Sequence, residues 1–169
     1  NLSVVYKKYY KMAANQDQTA ETPWWAGFPD VRSECPRIEP EEVKQLLDDD
    51  PPAKRLDGKR EFLLVDVRRT DWEGGTVSTS VNFPAHTLCP TRPAIYQLCK
   101  QAGIKKIIFY CGSSNGRGPR CAGWMQDYLN EVMETEMKAL VLKGGVKGWQ
   151  KKYGSEYMDW YDELFWESQ

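Results

Sequence analysis

One stretch of the chain has residue types and spacing suited to covalent chemistry on an anion. It reads Ile107-Ile108-Phe109-Tyr110-Cys111-Gly112-Ser113-Ser114-Asn115-Gly116-Arg117-Gly118-Pro119-Arg120. An apolar strand delivers a cysteine to its carboxyl end, a loop of small residues follows, and an arginine precedes a Gly-Pro that can open a helix. In parallel α/β sheets, ligands bind at the carboxyl ends of the strands. Small residues at Gly112, Ser113, Ser114, Asn115 and Gly116 allow successive N–H groups to converge on one centre, an anion-binding nest. The following helix aims its positive end at the same point. Arg117 can grip a tetrahedral oxyanion with two prongs, which lysine cannot do. The same field favours thiolate over thiol at Cys111. A thiolate beneath a cradled oxyanion is placed for in-line attack on phosphorus or arsenic, with the donors stabilising the equatorial oxygens.

The elements that must position this loop are legible as an alternation. Phe62–Val65, ending in Asp66, is a short continuous apolar run; Val81–Phe83, Ile104–Tyr110 and Ala139–Leu142 are further strand candidates. Continuous apolar runs mark strands covered on both faces. Between them, helical spacing is found over Glu41–Leu47 (with Pro40 in the first turn), Ala94–Gln101, Gly118–Glu131 and Val146–Tyr153. Such alternation predicts a mainly parallel sheet with helices on both faces. Tyr157, Trp160, Tyr161, Leu164 and Phe165 fall at i, i+3, i+4, i+7 and i+8, which predicts an added C-terminal helix over 155–167 docked on the core.

The 169 residues suit one domain, read here as 24–169. Residues 1–11 read as vector-encoded or upstream sequence, because Met12-Ala13-Ala14 resembles a natural start, and the leader to residue 23 as polar and disordered. Trp24-Trp25 is expected to anchor that arm. With 23 Lys+Arg against 24 Asp+Glu, no basic field points to nucleic acid or an anionic membrane. The longest wholly apolar run is five residues, short of the ~20 a spanning helix needs. Five cysteines with no C-x-x-C pair, and a single histidine at His86, leave no zinc cluster. An odd cysteine count without a secretory signal fits a reducing compartment, cytoplasmic or nuclear. His86, after Pro84, reads as a loop or surface histidine.

Cys111-x₅-Arg117 is the signature of cysteine-dependent phosphatases, and its surroundings resemble one branch of the rhodanese superfamily. Leu63–Pro84 (LLVDVRRTDWEGGTVSTSVNFP) resembles the D-x-R … E-x-G-H-I … A-x-N-x-P run of that superfamily. Leu142-Lys143-Gly144-Gly145 … Trp149 resembles its L-x-G-G … W element, and Arg37–Val43 its opening strand and helix. The likeness extends over 36–153 and implies a five-stranded, mainly parallel rhodanese-like sheet. Sulfurtransferases of the superfamily carry a six-residue loop; the cell-cycle dual-specificity phosphatases and the eukaryotic arsenate reductases carry seven. Cys111 through Arg117 is seven. The resemblance therefore implies a phosphocysteine-forming phosphatase acting on a phosphorylated protein or small phosphate, with no cofactor or metal. The alternative is an arsenate reductase drawing on glutathione or glutaredoxin; a sulfurtransferase or an inactive phosphate-binding module ranks lower.

Asp66 could serve as a general acid, but the resemblance assigns it mainly to support of the loop; Arg68 with Glu73 reads as a buried brace rather than a substrate contact. Cys121, ten residues after Cys111, is a candidate resolving thiol if its Cα lies within ~7 Å, the alternative being helix packing. Several positions depart from the pattern. Tyr110 stands where the family places histidine, Thr76 occupies the histidine position of E-G-G-H-I, and Val67 occupies that of a protective cysteine. No carboxylate lies within the loop, so the proton donor to the leaving group is not identified.

Overall fold

The computed structural model describes residues 22–50 and 60–169. They fall into two compact units, which meet at Asp30–Val31. In the first unit Trp24 and Trp25 meet edge to face, ring centroids 5.5 Å apart. The expectations for residues 1–21 fall outside the described residues.

The second unit is built on five parallel strands in the order β1-β6-β5-β2-β4: β1 Arg37–Ile38, β2 Phe62–Asp66, β4 Val81–Asn82, β5 Lys106–Tyr110 and β6 Lys138–Leu142. Side chains alternate across the sheet. Ile108 and Tyr110 join Leu64, Leu140 and Leu142 on one face, against Val43 and Leu47 of α1 (Pro40–Asp49) and Val146 and Trp149 of α4 (Gly145–Tyr153). Ile107, Phe109, Ala139 and Val141 are buried on the other face, which α3 (Arg117–Glu131) covers, with α2 (Ala85–Gln101) packed on α3. Both faces are covered, which is why the strand sequences read as unbroken apolar runs. No helix among the described residues is long and apolar enough to cross a membrane.

Register places the chemistry. Asp66 pairs with Tyr110 across β2 and β5, and the Val67 N–H extends that ladder to the Tyr110 carbonyl at 2.8 Å. The chain leaving β2 therefore runs beside the chain leaving β5, which starts at Cys111.

Two segments differ from expectation. The helix expected over Ala94–Gln101 begins at Ala85, so His86 lies in its first turn and not in a loop. Pro90 and Pro93 concealed this half, since proline ordinarily ends a helix. The Cys89 carbonyl that Pro93 cannot serve instead accepts from Arg92 Nε at 2.8 Å. The helix expected over 155–167 does not form as one piece. Tyr157 and Trp160 adopt positive φ (57° and 58°), a short strand β7 (Met158–Asp159) pairs antiparallel with β3 (Thr76–Val77), and only α5 (Glu163–Glu167) is helical. The aromatic stripe splits accordingly. Tyr157 and Trp166 pack on the core, while Trp160 and Leu164 are exposed. Gly74 and Gly75, both at positive φ, receive this tail: a Cβ on Gly75 would stand 2.7 Å from the Asp159 and Trp160 carbonyl oxygens. Trp166 Nε1 donates to the Gly74 carbonyl at 2.7 Å.

Candidate active site

Cys111 follows β5 directly and is only 4% exposed. Its loop is clamped from outside. The Cys111 and Gly112 carbonyls accept from the Val146 and Lys147 N–H groups of α4 at 3.0 and 2.9 Å. Gly145, at φ +60°, makes that approach possible: a Cβ there would collide with the Cys111 carbonyl oxygen and stand 2.6 Å from that of Gly112. The Ser114 carbonyl is held by Arg37 Nη1 at 3.0 Å, and Ser114 itself is buried in the left-handed region (φ +56°). The carbonyls of three loop residues are thus engaged on the scaffold side. Among the described residues, the N–H groups of Gly112 to Gly116 donate to no protein acceptor. Gly116 caps α3, whose first turn adds the partial positive charge of a helix start. Gly118 brings that turn against the strand, where a Cβ would lie 3.3 Å from Tyr110 Cα and 3.5 Å from the Cys111 nitrogen.

Arg117 begins α3, its side chain 26% exposed and paired with a carboxylate. Its Nη1 and Nη2 donate to the two carboxylate oxygens of Asp71 at 2.7 and 2.5 Å. The guanidinium holds the Asp71 carboxyl far below the usual carboxylate range, and the carboxylate raises Arg117 in return. Asp71 was not singled out from the sequence: a lone exposed aspartate in a turn carries no motif. His86 is held below its ordinary value first by burial, then by the charges of Arg69 and Arg117. This histidine therefore belongs to the surroundings of the site. A cleft of about 420 Å³ opens beside the loop, with Arg37, Asn115, Gly116 and Arg120 in its wall.

Asp66 and Arg68 lie under the site, 0% and 3% exposed. Arg68 Nε and Nη2 donate to Asp66, the latter at 2.7 Å, while Nη1 and Nη2 reach the Glu73 and Gly75 carbonyls at 2.8 and 2.6 Å. The brace thus uses the backbone of Glu73, whose side chain is exposed. Thr76 Oγ1 donates to Asp66 at 2.9 Å and shares a hydrogen bond with the Tyr110 hydroxyl at 2.7 Å. The Val77 N–H and Ser80 Oγ complete the surroundings of that phenol. Burial, then the Asp66 charge, push the phenol up, so it stays protonated. Removing one partner of a buried ion pair leaves the other uncompensated. Asp66→Asn is expected to cost about 3–5 kcal/mol in urea unfolding. A cost under about 1 kcal/mol would place Arg68 in contact with solvent.

All five cysteines are free thiols. Cys121 is fully buried in α3, and burial pushes its thiol well up, which opposes a resolving attack by the protonated form. Cys35 and Cys99 are pushed up to about 11, in both cases first by burial. No cluster of three or more metal-ligating side chains occurs among the described residues.

Residues 39–152 match the Rhodanese-like domain, and the chain belongs to that family. Among curated proteins it is 26% identical to the dual specificity phosphatase ibp1 of Schizosaccharomyces pombe, over 60% of this chain and 83% of that one. It is 37% identical to Arsenate reductase 2.1 of Oryza sativa, over 52% of this chain and 55% of that one. Among solved structures it is similar to Saccharomyces cerevisiae Ygr203w, described as a homolog of single-domain rhodanese and the Cdc25 phosphatase catalytic domain. The TM-score is 0.64 at 26% identity, covering 78% of this chain and 91% of that one. The relatives thus include phosphatase-like and arsenate-reductase-like members of one family.

Proposed function

We propose that this chain is a cysteine-dependent phosphatase that hydrolyses phosphomonoesters through a phosphocysteine. The reading rests above all on the uncommitted N–H groups of Gly112 to Gly116, in the loop that directly follows the buried Cys111. Five adjacent donors with no acceptor among the described residues suit a multiply charged tetrahedral anion. Cys111 attacks phosphorus, the loop amides and Arg117 stabilise the equatorial oxygens, and water later releases phosphate. The substrate is a phosphorylated protein or a small phosphate ester. No metal or organic cofactor enters this scheme.

Arsenate reduction is the second reading. It is favoured by the likeness to the rice arsenate reductase and by the near-identical size and charge of arsenate and phosphate. In that reaction Cys111 attacks arsenic, and glutathione or glutaredoxin supplies the electrons. Parallel assays with an aryl phosphate and with arsenate plus glutathione decide between them. The phosphatase reading expects steady release of phenol without thiol. Thiol-dependent arsenite formation with no ester turnover would replace it by the second.

A further inference from the structure

We propose that Asp71 is the proton donor to the leaving group, held at the mouth by Arg117 until substrate takes the guanidinium. The proposal rests on the phosphatase reading and supplies the acid which that reading lacks. In-line attack sends the leaving oxygen away from the sulfur. Cys111 lies on the buried floor, so that oxygen points outward. Asp71 stands outward, its side chain 51% exposed, joined to the same guanidinium that must hold the oxyanion.

Other titratable groups nearby are poorly suited to this task. Asp66 is fully buried and engaged by Arg68 and Thr76. His86 is kept toward its neutral form by burial and neighbouring cations. The Tyr110 hydroxyl is buried within its network.

While paired, Asp71 is a carboxylate and cannot donate. An arriving phosphate ester competes for the Arg117 fork. Its binding breaks the two hydrogen bonds that kept Asp71 ionised and sets negative charge beside it, and both changes favour uptake of a proton from solvent, returned when phosphate leaves and the pair re-forms. The site thus acquires its acid on substrate binding.

The proton and electron accounting closes. The Sγ–P bond forms as the P–O bond to the leaving group breaks. The leaving oxygen keeps the bond pair and takes the Asp71 proton. The resulting carboxylate accepts a proton from the water that attacks phosphocysteine, and the sulfur departs as thiolate.

The test compares phenyl phosphate, whose leaving oxygen needs a proton, with dinitrophenyl phosphate, whose leaving group departs as a stable anion. Asp71→Asn is expected to lower kcat/KM on phenyl phosphate by about 10²–10³-fold and on the dinitro ester by at least about tenfold less. Asp71→Glu is expected to restore part of the difference. Equal losses on both esters, the mark of a merely structural residue, would overturn the proposal, as would an unimpaired phenyl ester. A wild-type protein inert on both esters would overturn the phosphatase reading itself. An active wild type with equal losses in the variant would reject Asp71 alone.

Discussion

Replacing Cys111 by serine is expected to lower turnover of an aryl phosphate by about 10⁴-fold or more, with the domain still folded. The exchange is nearly isosteric at a side chain 4% exposed, so little packing is at stake. On the proposed mechanism, what is lost is the nucleophile. A serine hydroxyl attacks phosphorus only if a base removes its proton. The neighbouring phenol of Tyr110 cannot take that part, because burial keeps it protonated. The N–H groups of Gly112 to Gly116 and the fork of Arg117 survive the change, so inorganic phosphate should still compete for the site. Steady-state kinetics together with phosphate inhibition and thermal melting separate these expectations. Full turnover by the folded serine variant would overturn covalent catalysis at position 111.

The sheet was readable because burial on both faces leaves an unmistakable signature in short strands. Phe62–Asp66, Lys106–Tyr110 and Lys138–Leu142 match the apolar runs to within a residue or two. Legibility failed where one local rule concealed another. Pro90 and Pro93 hid half of α2, and an i, i+3, i+4 aromatic spacing imitated a helix over 155–167. That spacing carries no information about the sign of φ, and positive φ at Tyr157 and Trp160 folds the segment into a strand and a short helix. The two glycines that admit it, Gly74 and Gly75, are some eighty residues earlier, beyond the reach of any local pattern.

At the site the sequence showed residue types and the structure adds partnerships. Tyr110 and Thr76 appear separately as departures from the family pattern, each standing where a histidine is usual. In space they are hydrogen-bonded to each other at 2.7 Å, and Thr76 passes the connection to Asp66. The two changes thus form one polar bridge between β5 and the segment after β2, satisfied without an imidazole. Asp71 escaped notice for the opposite reason. Its importance lies in Arg117, 46 residues away in sequence, and not in any neighbour along the chain.

Arg117→Lys is expected to lower kcat/KM for an aryl phosphate by about 10²–10³-fold, the usual cost of removing a preorganised donor to a developing charge. Charge alone is preserved, so the loss measures geometry. A guanidinium offers two parallel N–H groups to two equatorial oxygens, whereas an ammonium offers a point charge on a flexible stem. The structure already displays the fork in use, since both terminal nitrogens meet both oxygens of Asp71. That pair is open to solvent on the Asp71 side, the two side chains being 26% and 51% exposed, and solvent-accessible pairs contribute about 0–1 kcal/mol. Stability should therefore change little while activity falls, and urea unfolding beside the kinetics reads the two apart. The combination with Asp71→Asn sharpens the argument. If Arg117 both grips the oxyanion and holds the acid, the two substitutions disable one coupled unit. The double variant should then be far less impaired than the product of the single losses. Multiplicative losses would mean that the carboxylate and the guanidinium act independently, and that their contact outside the substrate complex has no part in catalysis.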